Sequence, residues 1–366
     1  MLSYCTNVHP AEDLDGIVAQ LDTYATPVRE ELGVDVLGVG LWLAAEVASA
    51  LASDAAARAR LAGELKARGL GVQTLNAFPY GGFHDAVVKH SVYVPTWTDP
   101  RRAHYTRDCL TVLADLLHED ADYGSISTLP LAWREPWDTA EDDRAAAMFA
   151  EVTDHARTVS RRLGKPLRLA VEPEPGCVLD TVADAVSWLS GRVDPEYVGV
   201  CLDTCHLAVS FADPAEEVRR IREAGLDVVK VQASAALHVD DPADPAARAA
   251  LAEFVEPRYL HQVRELSASG EVLAADDLDR ALTDLPRNGP WRVHFHVPLH
   301  ARPEPPLRST TDVLTGAVAA LAADRGELPH IEVETYTWSV LPRAHRTDLA
   351  TGIAEELRWA RTEVAV

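Results

Sequence analysis

Four apolar runs in this chain end in residue types that hold metals or move protons. "LRLAVEPE" ends in Glu172 and Glu174, and "VGVCLDTCH" ends in Asp203, with His206 three positions on. "DVVKVQAS" carries Gln232, and "HIEVETYT" carries Glu332 and Glu334. Side chains two apart on a strand share a face, so in "IEVETY" both glutamates oppose Ile331 and Val333. Glu334 lies nearer the C-terminal end and is the better site candidate. Pro173 and Pro175 interrupt pairing after Glu172, which makes Glu172 the last residue firmly on its strand. If the four runs end at one place, three carboxylates and one amide meet there. Like charges at that separation raise one another's pKa, and a divalent cation relieves them. Oxygen ligands from Glu172, Asp203, Gln232 and Glu334 suit one Mn²⁺ or Mg²⁺, with Co²⁺ or Zn²⁺ also accommodated. His206 would then reach substrate or support the ligands.

Convergence depends on the elements that carry these runs. Short runs rich in Val, Leu and Ile alternate with longer stretches of helical period. The pattern predicts eight strands: Leu2–Val8, Val36–Leu43, Gly71–Phe78, Tyr123–Leu131, Leu167–Glu174, Val198–Cys205, Asp227–Ser234 and His330–Thr337. It predicts helices over Ala11–Leu32, Asp54–Gly69, Pro100–His118, Thr139–Gly164, Thr181–Val193, Pro214–Gly225, Thr310–Arg325 and Thr347–Val364. Glycine closes several of them, as at Gly69, Gly164 and Gly225. Eight alternations predict a (β/α)8 barrel, with a doubly wound open sheet as the alternative. In such a barrel the catalytic groups sit where strands end. Strands one, three and four then add Asn7 and His9, Asn76, and Ser127 to the polar end residues.

A long insertion, residues 235–309, separates strands seven and eight, far beyond an ordinary loop of about 2–6 residues. Its apolar run "WRVHFHVPLH" is expected to form a ninth strand in a hairpin over the C-terminal face. His294 and His296 would share a face of it, facing either the substrate or solvent, and His296 is read as a substrate contact. Asn7, His206, His238 and Trp338 complete the expected substrate set, with His261 a weaker candidate. Trp42, Phe78, Tyr80 and Trp97 also fall near strand ends, where most serve packing and an aromatic wall would suit a sugar or cyclitol ring. The whole chain, 1–366, is read as one barrel domain.

Composition narrows the function classes. The 366 residues carry a net charge of −23, a field that repels phosphate backbones, so no nucleic-acid partner is expected. The five cysteines include no CxxC pair, which argues against a disulfide framework and for a reducing compartment. The start "MLSYCTNVHP" lacks a basic and apolar leader, and the stretch from Val36 reads as a strand entering a helix, not a membrane span. A cytoplasmic protein is expected, with a small-molecule substrate and a homodimer admitted. No Walker loop, GxGxxG after a strand, HExxH or GxSxG occurs, which disfavours nucleotide-dependent and serine-nucleophile chemistry.

Glu172, Asp203 with His206, Gln232 and Glu334 resemble, in order and position, the metal-binding set of xylose-isomerase-like TIM barrels, the sugar isomerase and epimerase group. The likeness spans roughly Met1 to Thr337. More narrowly, "LSYCTNVHP", "VKVQASAAL" and "HFHVPLH" resemble metabolite-traffic proteins of the Ebo type, whose substrates are poorly defined. Ordinary members of the wider group lack the long insertion. The resemblance implies a divalent-metal-dependent isomerase or epimerase of a sugar- or cyclitol-like polyhydroxy carbonyl compound, acting through an enediolate, with Glu172 and Glu334 as the catalytic pair. A metal-dependent hydrolase like the endonuclease-IV barrels, or a metabolite-binding protein without turnover, are the alternative readings.

Overall fold

A computed structural model describes residues 1–343 and 346–364 of the chain. The β-branched runs become parallel strands: Ser3–Cys5, Leu37–Trp42, a third stave in two pieces (Leu70–Gly71 and Thr74–Asn76), Gly124–Thr128, Leu167–Val171, Val198–Asp203, Val228–Ala233 and His330–Val333. Each pairs in parallel with its neighbour, and the first pairs with both the second and the last, which closes the sheet. Helices fill every crossover, so the chain forms a (β/α)8 barrel. Outward-facing Leu41, Ile126, Leu169, Leu202, Val231 and Ile331 are buried under those helices.

Three elements depart from the sequence pattern. The expected helix 11–32 divides into Leu14–Gln20, a π-helical segment Leu21–Ala25 and Thr26–Leu32. Pro27 supplies no amide hydrogen to the preceding turn, and the ladder widens there. The first strand stops at Cys5 and passes into a 3-10 turn, Thr6–Val8. The insertion is more than a hairpin. It forms a separate antiparallel sheet of five strands, in the order Val272–Ala275, Val263–Leu266, Trp291–Val293, Leu237–Val239, Leu307–Ser309. Of the expected ninth strand only Trp291–Val293 is extended. The His294 amide still bonds in register to the Gln262 carbonyl at 2.8 Å, and the Phe295 amide then bonds back to the Val293 carbonyl at 2.8 Å, so the chain turns off the sheet at His294 and before His296.

The barrel interior is polar below its mouth. TIM-barrel interiors are ordinarily filled by branched apolar side chains. Here Lys230 on strand seven and Glu332 on strand eight, both fully buried, pair at 2.6 Å. Lys230 also donates to the Ser127 hydroxyl at 3.2 Å, and Ser125 donates to Thr74 at 2.8 Å. Space for this pair comes from strand two: a Cβ on Gly40 would lie 1.2 Å from Glu332 Oε1. Gly40→Ala should therefore destabilise the fold by about 1–3 kcal/mol in a urea melt, as overpacking does. Gly63→Ala, on the exposed face of helix Ala55–Ala67 with nothing within 4 Å, should leave stability equal or slightly raised. Equal effects at the two positions would show that Glu332 does not depend on the glycine.

Candidate metal centre

Period-two alternation carries the polar interior up to the mouth. Lys230 and Gln232 share one face of strand seven, and Glu332 and Glu334 one face of the eighth strand and its end. One carboxylate oxygen from each of Glu172, Asp203 and Glu334 lies within 4.8 Å of the others, and all three residues are buried. Gln232 is Asp203's neighbour in the strand register and is fully buried.

The hydrogen bonds around this group leave specific atoms vacant. Asp203 Oδ1 accepts from the His206 amide at 2.9 Å and from Ser234 Oγ at 2.8 Å, while Oδ2 has no partner. Asp203 is thus both the cap of helix Thr204–Val209 and a member of the cluster. Glu334 Oε1 accepts from Asn7 Nδ2 at 2.7 Å and Asn76 Nδ2 at 2.9 Å. Glu172 Oε2 and both amide atoms of Gln232 are buried without a partner. Arg168, on the strand that leads into Glu172, is paired with Asp227 at 2.9 Å and does not neutralise the cluster. Burial pushes the Glu172 carboxyl well above its usual range, and the charges of Glu334 and Asp203 add to this. Burial, then Asp203 and Glu332, push Glu334 up to about 8. Orphaned oxygens that close together, in so acidic a cluster, fit a hard divalent cation held by Glu172, Asp203 and Glu334 with Gln232 beside them.

Three histidines stand over the cluster. His296 Nδ1 donates to the Glu334 carbonyl at 2.8 Å, which leaves Nε2 bare and 3.8 Å from Asp203 Oδ2. Burial holds His296 neutral, with its pKa lowered to about 4. His206 Nδ1 donates to the Pro173 carbonyl at 2.9 Å and His294 Nδ1 to Gln262 Oε1 at 2.6 Å. Their Nε2 atoms then face each other at 3.1 Å, a contact that needs one proton between them. His294 and His296, admitted on sequence grounds as a solvent-facing pair, are both buried.

A cavity opens above Glu172, Glu174, Glu334, His206, His294, His296, Asn7 and Asn76. Two expected substrate contacts do not line it. His238 sits on the insertion's sheet, where Asp240 at 2.8 Å and Arg308 at 2.9 Å occupy its Nε2. Trp338 is wedged over Gly352 and donates to the buried Glu356 at 3.1 Å, because the chain turns into a 3-10 segment after strand eight. His9 stacks on Tyr24, and His261 is bound between the His294 carbonyl and Glu256. Sequence reasoning missed Lys230 as counter-charge, although its place two residues before Gln232 was a signal. It also missed the walls: Phe83 and Tyr93 in the loop after strand three, Tyr259 and Leu260 in the insertion, and Tyr336. Of the aromatics near strand ends, Phe78 alone lines the cavity.

No family model matches the chain, and no curated protein matches it. Solved structures share its fold. A xylose isomerase-like TIM barrel protein from Mycobacterium smegmatis, in complex with magnesium, is 13% identical with a TM-score of 0.55, covering 100% of this chain and 96% of that one. An L-ribulose 3-epimerase is similar at 13% identity and a TM-score of 0.55, covering 100% and 94%. The IOLI protein with a bound zinc atom follows at 12% identity and a TM-score of 0.52, covering 100% and 98%.

The raised carboxyls make a signed prediction. A buried acid whose folded pKa is raised costs nothing below its unfolded value, and costs progressively more as pH climbs through the folded value. Metal-free protein should lose thermal stability between about pH 4.5 and 8, the span over which Glu334 is shifted. Added Mn²⁺ or Mg²⁺ should raise Tm most at the alkaline end, since binding displaces those protons. Glu334→Gln should flatten the pH slope and cut the metal response. A metal-independent Tm in the native protein at pH 8 would contradict the cation site.

Proposed function

We propose that the chain is a divalent-metal-dependent isomerase or epimerase of a sugar- or cyclitol-like polyhydroxy carbonyl compound. The observation that carries this reading is the set of carboxylate oxygens of Glu172, Asp203 and Glu334, within 4.8 Å of one another, with Glu172 and Glu334 lining a cavity and Asp203 behind them. Fold likeness to an L-ribulose 3-epimerase and to a magnesium-bound barrel protein supports it.

A cation held by Glu172, Asp203, Gln232 and Glu334 would supply Lewis-acid polarisation of a carbonyl and its neighbouring oxygen. The side chains do the rest. One of Glu172 and Glu334 takes the proton from the carbon next to the carbonyl, which gives an enediolate, and the other returns a proton. Return to the former carbonyl carbon, with the hydroxyl proton passing from its own oxygen to the former carbonyl oxygen, gives an isomer; return to the original carbon from the opposite face gives an epimer. Asn7 and Asn76 hold the Glu334 carboxylate in one orientation through two hydrogen bonds. His296, fixed through Nδ1 to the Glu334 carbonyl, presents its unpartnered Nε2 toward substrate oxygens, while His206, fixed through Nδ1 to the Pro173 carbonyl, meets His294 with its Nε2. The insertion brings His294, His296, Tyr259 and Leu260 over the floor and so excludes water.

The test follows solvent deuterium into a panel of ketoses and keto-cyclitols by NMR, with Mn²⁺ present. Exchange at the carbon next to the carbonyl is expected. Glu172→Gln and Glu334→Gln should each lower it by about 10²–10⁴-fold, the usual weight of a positioned acid or base. Undiminished exchange in both variants would overturn the assignment.

A second reading, a metal-dependent hydrolase, draws on one further observation. Glu174, His206 and His294 form another ligand-competent group, as do Asp203, His206 and His296. Elemental analysis of the purified protein separates the two: one metal per chain fits the isomerase, and two or three zinc ions per chain fit the hydrolase.

A further inference from the structure

The cavity divides into two chemistries. Its floor is the carboxylate and histidine group. Its upper half is apolar, built from three separate stretches: Phe78 to Tyr93 after strand three, Tyr259 and Leu260 in the insertion, and Tyr336 after strand eight. Phe83 touches both Tyr259 and Tyr336, with ring centroids at 5.2 and 5.4 Å, so the stretches meet as one aromatic surface.

Two of the three tyrosine hydroxyls of that surface have close partners within the protein, and the third, that of Tyr336, lies 3.4 Å from His294 Nε2. Tyr93 donates its hydroxyl to Glu174 at 2.7 Å, and Tyr259 donates to the Phe83 carbonyl at 3.2 Å. Lys89, the one cation lining the cavity, is paired with Asp277. A bare polyol reaching up from the floor would bring hydroxyl groups against walls that offer them little, and would forfeit its hydration there. A sugar can lay one ring face on an aromatic side chain, but its rim of hydroxyls then needs polar neighbours. In and beside these stretches Val87 (61%), Val94 (55%) and Val255 (40%) are exposed, half of the large hydrophobic residues exposed among the described residues.

We infer that the substrate joins a small dioxygenated head, seated on the carboxylate floor, to an apolar body that fills the aromatic upper half. The head rests on the metal-dependent reading given above; the body rests on the walls alone. The small surface site of a free pentose or hexose would leave the upper half without a partner, whereas a conjugate carrying an alkyl or aryl group fills it. The enzyme would then act on the polar end of an amphiphilic metabolite.

Hydroxamic acids test this, because they share one dioxygen head and differ in body. Acetohydroxamate, octanohydroxamate and phenylacetohydroxamate are titrated calorimetrically into the full chain, with and without Mn²⁺. The longer two should bind Mn²⁺-loaded protein roughly tenfold tighter than acetohydroxamate, or more, from apolar burial. Whichever of them wins identifies the body as aliphatic or aromatic. Val92→Asn, at a half-buried wall position, should bring the preference below about threefold, with the metal-induced Tm rise unchanged; Leu260→Asn is the second variant. Equal affinities across the series, no binding by any probe, or weaker binding of the larger probes overturns the inference. A body preference that persists while acetohydroxamate ignores the metal removes the metal-dependent reading and leaves the wall standing.

Discussion

The unequal count of buried charges inside the barrel is the constraint from which its mouth follows. Glu332, Glu334, Glu172 and Asp203 crowd around one buried ammonium, that of Lys230. The lysine pairs with Glu332 and donates to Ser127, and its charge offsets only part of the repulsion at the mouth. A carboxylate in such surroundings either takes a proton or gains a cation. Burial and mutual repulsion already push Glu172 and Glu334 toward the protonated form. An apolar filling of the same volume would have been the stable solution, and the chain instead keeps Gly40 open so that Glu332 can fit. That sacrifice makes sense for a centre whose charge is completed from outside.

The same centre depends on segments remote in sequence. Asp203 is fixed by Ser234 of the next βα loop, and Glu334 by Asn7 from the 3-10 turn after strand one and Asn76 from strand three. His296 arrives from the insertion and is tied to the backbone of Glu334 itself. Thr335 and Trp338, just past strand eight, are clamped with the Leu299 amide onto the buried Glu356 of the C-terminal helix. Its carboxyl, raised to about 7 by burial, is held by those three donors. The segment that follows the insertion's histidines and the segment that follows Glu334 are therefore one mechanical unit, and neither can shift without the other.

The barrel was legible in the sequence because its strands obey period two and its helices have clear caps and stops. Glu172, Asp203 and Glu334 were legible for the same reason: each stands at the polar end of an apolar run. The insertion's sheet was not, because its strands are three or four residues long and bury their faces against one another, with no alternation long enough to register. His294 and His296 were picked out as a same-face pair, yet they meet the cavity from irregular backbone and not from a strand. Trp338 looked like a wall residue by its distance from Glu334; a 3-10 turn that no local signal marks sent it under the C-terminal helix instead. The aromatic wall escaped because Phe83, Tyr93 and Tyr259 lie in loops, where spacing carries no information about facing.

That split between what was legible and what was not follows the division of labour in the molecule. The floor comes from strand ends, whose positions are set by the closed hydrogen-bonded sheet and tolerate little movement. The wall comes from connections, which can change length and residue without disturbing the sheet. Chemistry and selectivity are therefore encoded in different kinds of segment. Fold likeness at 12–13% identity extends over whole chains because the sheet is shared. It says nothing about the stretch Phe78–Tyr93 or the insertion, which decide what the floor is offered. In this chain those loops present mainly aromatic and aliphatic surface above the carboxylate floor.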